Sequence, residues 1–179
     1  PFKIIAEKIE ETIALGGRQI LLQGGHNVNL RIDYFEDLFQ RIKKRFDIHL
    51  HGLSPPEIVH IAKISRLTIN ETLQRLRDAG LDSVPGGGAE VLADHVRHKI
   101  SPHKCSTDEW LYVMDCAHGM NMPTTATMMF GHVETIEDRV EHLRRIREQQ
   151  DKTNGFTAFI PWPFQPGHTE LSMDLGITS

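Results

Sequence analysis

The sequence predicts an α/β fold of parallel strands with helical crossovers, arranged as a partial (β/α) TIM-type barrel. Two observations lead to this prediction. Short apolar runs alternate along the chain with amphipathic helical patterns, and each run ends in small or polar residues. Successive runs are always separated by a helix, so the strands must be parallel and their crossovers right-handed. A doubly wound open sheet would show the same alternation, and the pattern does not separate the two folds.

The first half of the chain supplies three of the predicted strands. Glycines end the first helical pattern, and Asp33 is expected to cap the second helix. Pro55 begins the third helix, because a proline in the first turn removes no hydrogen-bond donor that the helix needs. Gly80 stops the fourth helix. The helices are predicted at 4–15, 34–46, from 55 onward and at 68–79, and the strands at 18–22, 48–53 and 81–84.

The second half opens with the glycine stretch Ser83-Val84-Pro85-Gly86-Gly87-Gly88-Ala89-Glu90, where a strand ends and a helical pattern begins at Val91. Such bare backbone lets a ligand approach closely, with helix N–H groups pointing at it. Ser106 and Glu109 form a capping box for a later helix. The helices are predicted at 91–100, 107–118 and 136–150, and the strands at 124–130 and 156–160.

Length, charge and cysteine content narrow the class of protein. With 179 residues, of which 39% are hydrophobic, the chain can bury a sizeable core, and we expect a single domain over 1–179. It begins at Pro1 inside a helical pattern and stops before another element, so we expect truncation at both ends. A net charge of −4 with interspersed signs argues against a nucleic-acid partner. Without a bilayer-spanning run, and with only two cysteines, we expect a cytoplasmic protein with no membrane partner.

Chemistry is expected where the strands end. The carboxyl ends of parallel strands meet at one edge of a sheet, and parallel α/β folds hold their ligands there. His49 and His51 lie on the same side of one predicted strand. We expect one of them to pack in the core and also to contribute to the site. The residues that this argument brings together are Gly24, Gly25 and His26; His51 and Ser54; Gly86, Gly87, Gly88 and Glu90; Thr127, His132 and Glu134; and Trp162 and Gln165.

These candidates also have structural interpretations. The dipeptide at 24–25 is typical of an ordinary turn. Glu90 and Glu134 each precede a helical pattern, so the helix dipole alone accounts for either carboxylate. Three consecutive glycines at 86–88 carry an entropic cost, which favours a ligand contact there.

The histidines and cysteines predict no metal site. His95 and His98 share a helical face with His103 nearby, but the spacing matches no zinc signature. Solvated helix histidines account for this group. Cys105 and Cys116 are too far apart for a CxxC site, and we interpret them as small buried hydrophobic residues.

Six stretches of the chain form a recognisable pattern: LQGG at 22–25, SPPEI at 54–58, AGLDSVPGGGAE at 79–90, ISPHK at 100–104, TATMMFGHVET at 125–135 and GFTAFIPWPFQP at 155–166. Together they resemble the radical S-adenosylmethionine (SAM) enzymes of the futalosine route to menaquinone. The resemblance covers almost the whole chain. The IPWPFQP ending is most similar to the branch that cyclises dehypoxanthine futalosine. Aminofutalosine synthase and, in part, FO synthase share the triple glycine and the Gly-His-x-Glu stretch, and they are the alternatives within this family.

The resemblance implies two cofactors, S-adenosylmethionine and a [4Fe-4S] cluster. The family binds the cluster through CxxxCxxC after the first strand. The chain lacks this motif, so we expect the ligands upstream of Pro1 and no activity from the chain alone. His26 stands where many family members have glutamate, and His168 where we expect asparagine. The residues implied to bind the cofactor are Gly24, Gly25, Ser54, Gly86, Gly87, Gly88 and Glu90.

The implied reaction is the radical cyclisation of the small-molecule substrate dehypoxanthine futalosine. A 5′-deoxyadenosyl radical removes a hydrogen from the ribose, the carbon radical adds to the benzoate ring, and an electron and a proton leave. A flavodoxin or ferredoxin is the implied electron donor. The implied catalytic candidates for the late base are Glu134 and His132, and the implied substrate-binding residues are Thr127, Trp162 and Gln165.

Two other classes of function stay open. A phosphate-handling (β/α) barrel isomerase or aldolase would use the triple glycine as its phosphate cradle, although the chain lacks a strand-end lysine. A non-catalytic fragment or scaffold is favoured if the natural product begins near Pro1.

Overall fold

The computed structural model describes residues 2–167, in which helices and strands alternate along the chain. The helices are α1 (Phe2–Ala14), α2 (Ile32–Arg45), α3 (Pro55–Ser65), α4 (Ile69–Asp78), α5 (Asp94–Ile100), α6 (Thr107–Gly119) and α7 (Ile136–Thr153). The strands are β1 (Gln19–Leu22), β2 (His49–Gly52), β3 (Thr124–Phe130) and β4 (Phe156–Pro163).

All the strands are parallel, and their order across the sheet is the same as their order in the sequence. β1 pairs with β2 and β3 pairs with β4, both in parallel. Ser83 bridges to His51 and Val84 bridges to Thr124, so residues 83–84 join the two pairs. The strand predicted at 81–84 is therefore reduced to these two bridging residues. Pro85 ends the pairing because proline has no backbone N–H to donate.

This order explains why the helices cover one face of the sheet. When parallel strands follow each other in one direction, right-handed crossovers place every helix on the same side. The sheet residues Leu50 and Val84 are accordingly fully buried in one core with helix residues such as Phe39 and Trp110. The predicted α/β class with parallel strands is confirmed. Within residues 2–167 the strand order, with β1 and β4 at its edges, is consistent with part of a barrel.

The prediction that Asp33 caps the second helix is wrong. The helix begins at Ile32, with Arg31 at the N-cap, and Asp33 lies in the first turn. Its carboxylate instead accepts a hydrogen bond from Arg75 Nη2 at 3.0 Å. The Asp33 side chain therefore binds an arginine of α4 instead of capping α2. The capping box of Ser106 is confirmed.

The prediction of a helix from Val91 is also wrong, because α5 begins only at Asp94. Glu90 has a left-handed backbone with φ of 48°, which interrupts any helix at this point. Val91 and Leu92 are buried instead of helical, and the Leu92 N–H donates to His142 Nδ1 of α7 at 3.0 Å. Val91 and Leu92 therefore pack in the core as an irregular segment, and the first helical turn predicted there does not form.

Candidate functional site

Alternate residues of the strands form an inner face that points away from the helices. The register pairs Leu21 with His51 and Thr127 with Ile160, whereas Leu50 and Ala126, the residues between, lie in the helix-covered core. Trp162 continues the inner face towards the carboxyl end of β4, opposite Met129. The predicted residues His51, Thr127 and Trp162 therefore do share one surface.

Glu57 holds the loop that follows β1, a role that the sequence analysis missed. Its Oε1 atom accepts hydrogen bonds from the backbone N–H groups of Gly24 at 2.7 Å and Gly25 at 2.9 Å. Its Oε2 atom accepts from the N–H and the hydroxyl of Ser54 at 2.8 and 2.6 Å. The N–H groups of Gly24 and Gly25 are therefore both engaged by one buried carboxylate, which fixes the conformation of this turn. The Ser-x-x-Glu spacing at 54–57 is the sequence signal that would have identified Glu57.

The triple glycine is packed against neighbouring elements. A Cβ added to Gly86 would lie 2.4 Å from the carbonyl oxygen of Thr125. The N–H of Gly86 donates to Thr125 Oγ1 at 3.0 Å, and its carbonyl accepts from Thr127 Oγ1 at 2.5 Å. Gly88 has φ of +73°, and a Cβ there would lie 2.4 Å from Pro56 Cγ. Close approach of backbone to β3 and α3 thus requires these glycines even before a ligand is considered.

Glu90 carries a carboxylate at the strand ends and does not cap α5. Its Oε1 atom lies 2.6 Å from Lys104 Nζ, and its side chain is 10% exposed, against 37% for the lysine. The first-turn carboxylate of α5 belongs to Asp94, whose Oδ1 accepts from the Thr107 N–H at 2.8 Å. Glu90 and Lys104 thus form an ion pair at the rim of the site.

Arg97 is the second residue that the sequence analysis missed. It is 3% exposed, and its guanidinium donates to the carbonyls of Gly88 at 3.0 Å, of Ala89 and of Cys105 at 3.1 Å. Ala89 directly precedes Glu90, and Cys105 directly follows Lys104. The planar guanidinium therefore fixes the two segments that carry the rim ion pair.

Glu134 and His132 are held within their own turn after β3. Glu134 accepts from the N–H groups of Gly131 and His132 and from Arg139 Nε at 2.9 Å. Burial raises the pKa of Glu134, but these backbone N–H groups outweigh it, so the net pKa lies below its usual value. His132 Nε2 lies 3.0 Å from the Met129 carbonyl, and its Nδ1 accepts from the Val133 N–H at 2.8 Å. The carboxylate is thus anionic and both ring nitrogens are engaged.

A cleft of about 350 Å³ opens between the loop after β1 and the segment before α6. His26 reaches this cleft and stacks on His60 at 5.0 Å between ring centroids. Burial and the neighbouring His60 lower the pKa of His26. Gln165 is exposed beyond the end of β4, and His168 lies outside the described residues. The cleft is lined by Gly25, His26, Ser101, Pro102, His103 and Lys104.

Within residues 2–167, no group of three or more His, Cys, Asp or Glu side chains is placed to hold a metal ion. His95 is paired with Asp138 at 3.1 Å between Nε2 and Oδ1. Both cysteines are buried, and burial raises the pKa of Cys105 to about 11 and also raises that of Cys116. Such protonated thiols are poor cluster ligands. The same part of the chain contains no helix that is long and apolar enough to cross a membrane.

The sequence profile of the Radical SAM superfamily matches residues 2–146, which is most of the chain. The chain belongs to this superfamily. The glycine loops at 24–25 and 86–88 lie inside the matched region, whereas β4 lies outside it. The resemblance inferred from the sequence motifs is confirmed.

Curated relatives are similar over nearly the whole chain. Cyclic dehypoxanthine futalosine synthase of Halalkalibacterium halodurans is 46% identical over 170 residues, which cover 94% of the chain and 46% of that relative. A 5-amino-6-(D-ribitylamino)uracil–L-tyrosine 4-hydroxyphenyl transferase of Methanosarcina mazei is 43% identical, with coverages of 90% and 43%. Aminodeoxyfutalosine synthase of Thermus thermophilus is 41% identical, with coverages of 94% and 45%. The chain thus spans less than half the length of these relatives.

The superfamily implies SAM and a [4Fe-4S] cluster, and the described residues fit only the first of these. A carboxylate-backed glycine turn and a rim ion pair suit a ligand with an amine, a carboxylate and hydroxyl groups. Neither Cys105 nor Cys116 suits a cluster, because both thiols are buried and protonated.

Proposed function

We propose that the chain is the core of a radical SAM cyclase that converts dehypoxanthine futalosine to its cyclic form in menaquinone biosynthesis. The observation that carries this proposal is that the Glu57-backed turn, through Gly25, lines the same cleft as Lys104, the partner of Glu90 in the rim ion pair. Supporting it, relatives named for futalosine reactions are 46% and 41% identical to the chain.

The polar rim would bind SAM. The carbonyl oxygens of Gly24 and Gly25 would accept hydrogen bonds from the methionine ammonium, and Ser54 would act indirectly by fixing Glu57. Glu90 would accept from the ribose hydroxyls, while the Lys104 ammonium would attract the SAM carboxylate. When bound at a reduced cluster, SAM supplies a radical that abstracts hydrogen from the substrate. The cluster ligands would lie in a segment outside this chain, and a flavodoxin or ferredoxin would supply the electron.

The inner face of the sheet would hold the substrate. Trp162 and Ile160 offer apolar surface for the benzoate ring, next to the polar rim. Thr127 would contribute to the substrate site indirectly. Its hydroxyl donates to the Gly86 carbonyl and so fixes the position of the glycine loop relative to β3. Glu134 stays anionic in its turn and presents a fixed negative charge near the strand ends. An apolar wall beside charged binding groups both orients the substrate and excludes water from reactive intermediates.

The test uses the longer protein that carries the cluster segment together with this chain. After anaerobic reconstitution with iron and sulfide, we expect reductant-dependent cleavage of SAM and cyclic product from dehypoxanthine futalosine. A protein that cleaves SAM but makes only aminodeoxyfutalosine would move the assignment to that relative's reaction. A protein that neither holds iron nor cleaves SAM would overturn the proposal altogether.

A further inference from the structure

Three hydrogen-bonded polar side chains lie on the inner face of the sheet, below the rim. The Ser83 hydroxyl lies 2.7 Å from His49 Nε2 and also 2.7 Å from His51 Nδ1. Ser83 is 5% exposed and His51 is 9% exposed. Neither the SAM-binding rim nor the capping of any helix uses these groups.

The number of hydrogens available to these three side chains restricts how they can be hydrogen-bonded. A hydroxyl has a single hydrogen, so Ser83 can donate to only one of the two rings, and the other ring must donate its N–H to Ser83. In one state His51 Nδ1 carries the proton and Ser83 donates to His49; in the other, His49 Nε2 carries it and Ser83 donates to His51. The two states interconvert when a proton enters at the outer nitrogen of one ring, a proton leaves from the outer nitrogen of the other, and the inner protons shift through Ser83.

The outer ring nitrogens, His51 Nε2 and His49 Nδ1, complete the path. In the described part of the chain, the buried side-chain polar atoms that lack a partner are Thr107 Oγ1 and His142 Nε2. The outer nitrogens are not among them, and no residue within 2–167 is a hydrogen-bond partner of either, so we expect solvent or a ligand to reach them. His49 begins β2 and His51 lies two residues nearer the strand ends, so the path runs from the rim towards the base of the sheet.

We propose that His51, Ser83 and His49 form a proton relay that takes a proton from the bound substrate and delivers it to water at the base of the sheet. The substrate gives its proton to His51 Nε2, His51 Nδ1–H passes to Ser83, Ser83 passes its own proton to His49 Nε2, and His49 Nδ1–H goes to water. The net result is the transfer of one proton from the substrate to water, and no electron is transferred. The relay resets by exchange with water when the site opens.

This inference rests on the proposed function, because ring closure on the benzoate releases one proton. Burial and the neighbouring His49 lower the pKa of His51, which keeps it neutral and able to accept. The register places Gln19 opposite His49 and Leu21 opposite His51, so β1 adds no charge that would trap the proton. The strand-end alternative, Glu134, has its oxygens occupied by backbone N–H groups and an arginine.

The direct test needs neither cluster nor substrate. Long-range ¹H–¹⁵N spectra of the 179-residue chain report which ring nitrogen of each histidine carries the proton. We expect averaged signals for the ring nitrogens of His49 and His51, because the two tautomeric states exchange. Ser83→Ala should leave each ring with one fixed tautomer, Ser83→Thr should restore the averaging, and His95 should be unchanged in both. Fixed, independent rings in the unsubstituted chain would overturn the relay.

A second measurement uses the longer protein. Ser83→Ala should lower the kcat for cyclic product by about 10²-fold and change its solvent deuterium isotope effect, because a general base contributes on that scale. The KM for SAM should not change, and Ser83→Thr should recover most of the rate. Equal rates for serine and alanine would refute the relay. If the unsubstituted protein forms no cyclic product, the proposed function fails, and the ring-nitrogen spectra alone decide the relay.

Discussion

Arg97→Lys should weaken both the fold and the proposed SAM site, because only a guanidinium spans the acceptors present. Arg97 Nη1 donates to the carbonyls of Gly88 and Ala89, whereas Nε and Nη2 donate to the carbonyl of Cys105. A lysine ammonium is a single point at the end of a flexible stem, and it cannot reach carbonyls on both segments at once. At least one buried carbonyl would then be left without a partner.

The size of the effect follows from these lost hydrogen bonds. Leaving a buried acceptor unpaired costs about 1–3 kcal/mol, so loss of one or two acceptors destabilises the chain by about 3 kcal/mol. This corresponds to roughly a 10²-fold change in the unfolding equilibrium constant. For a domain of this length, the midpoint of thermal unfolding should fall by about 6–12 °C.

Urea and thermal unfolding, followed by circular dichroism, measure this loss, and calorimetry of the folded protein measures the affinity for SAM. Arg144→Lys is the matched control, because Arg144 is exposed on α7 and contacts only Glu141 and Glu148. The control should leave both quantities unchanged. If Arg97→Lys behaved like the control, the role of Arg97 in fixing the rim segments would be refuted.

Three further predictions concern neighbouring parts of the site. Gly86→Ala should destabilise the chain by about 1–3 kcal/mol in urea unfolding, because its Cβ would meet β3 backbone at 2.4 Å, whereas Gly119→Ala, with nothing within 4 Å, should not. His142 is buried and its pKa falls to about 4, below the unfolded value of 6.5, so its contribution is complete above pH 6.5 and is lost as the pH falls towards 4. Unfolding free energies measured across this range should drop by roughly 3 kcal/mol more in the unsubstituted chain than in His142→Gln; parallel curves would contradict this. Glu90→Gln should weaken SAM binding by calorimetry in the longer protein, since it removes the charge that pairs with Lys104, and an unchanged affinity would exclude Glu90 from the cofactor site.

Local pattern was sufficient to predict the class of fold and the edge of the sheet where the candidate residues lie. Alternation of apolar runs with helical periodicity depends on neighbours within a few residues, so strands at 124–130 and most helices could be located from it. Parallel connection then follows from chain geometry, and it places the strand ends together without any knowledge of contacts. The position of the glycine stretch at this edge follows from the same argument.

The partners of the site residues depend on contacts between distant segments. Glu57 accepts a hydrogen bond from Gly24, which lies 33 residues earlier in the sequence. The two are close because α3 begins just after β2, and β2 pairs with β1. Arg97 finds its carbonyls only because α5 starts three residues later than its pattern suggests. The choice between a helix cap and an ion pair for Glu90 was settled by Lys104, 14 residues away. Turns and helices follow from short-range sterics, whereas the pairing of buried charges and carbonyls follows from which segments the closed packing of the core brings within hydrogen-bond distance.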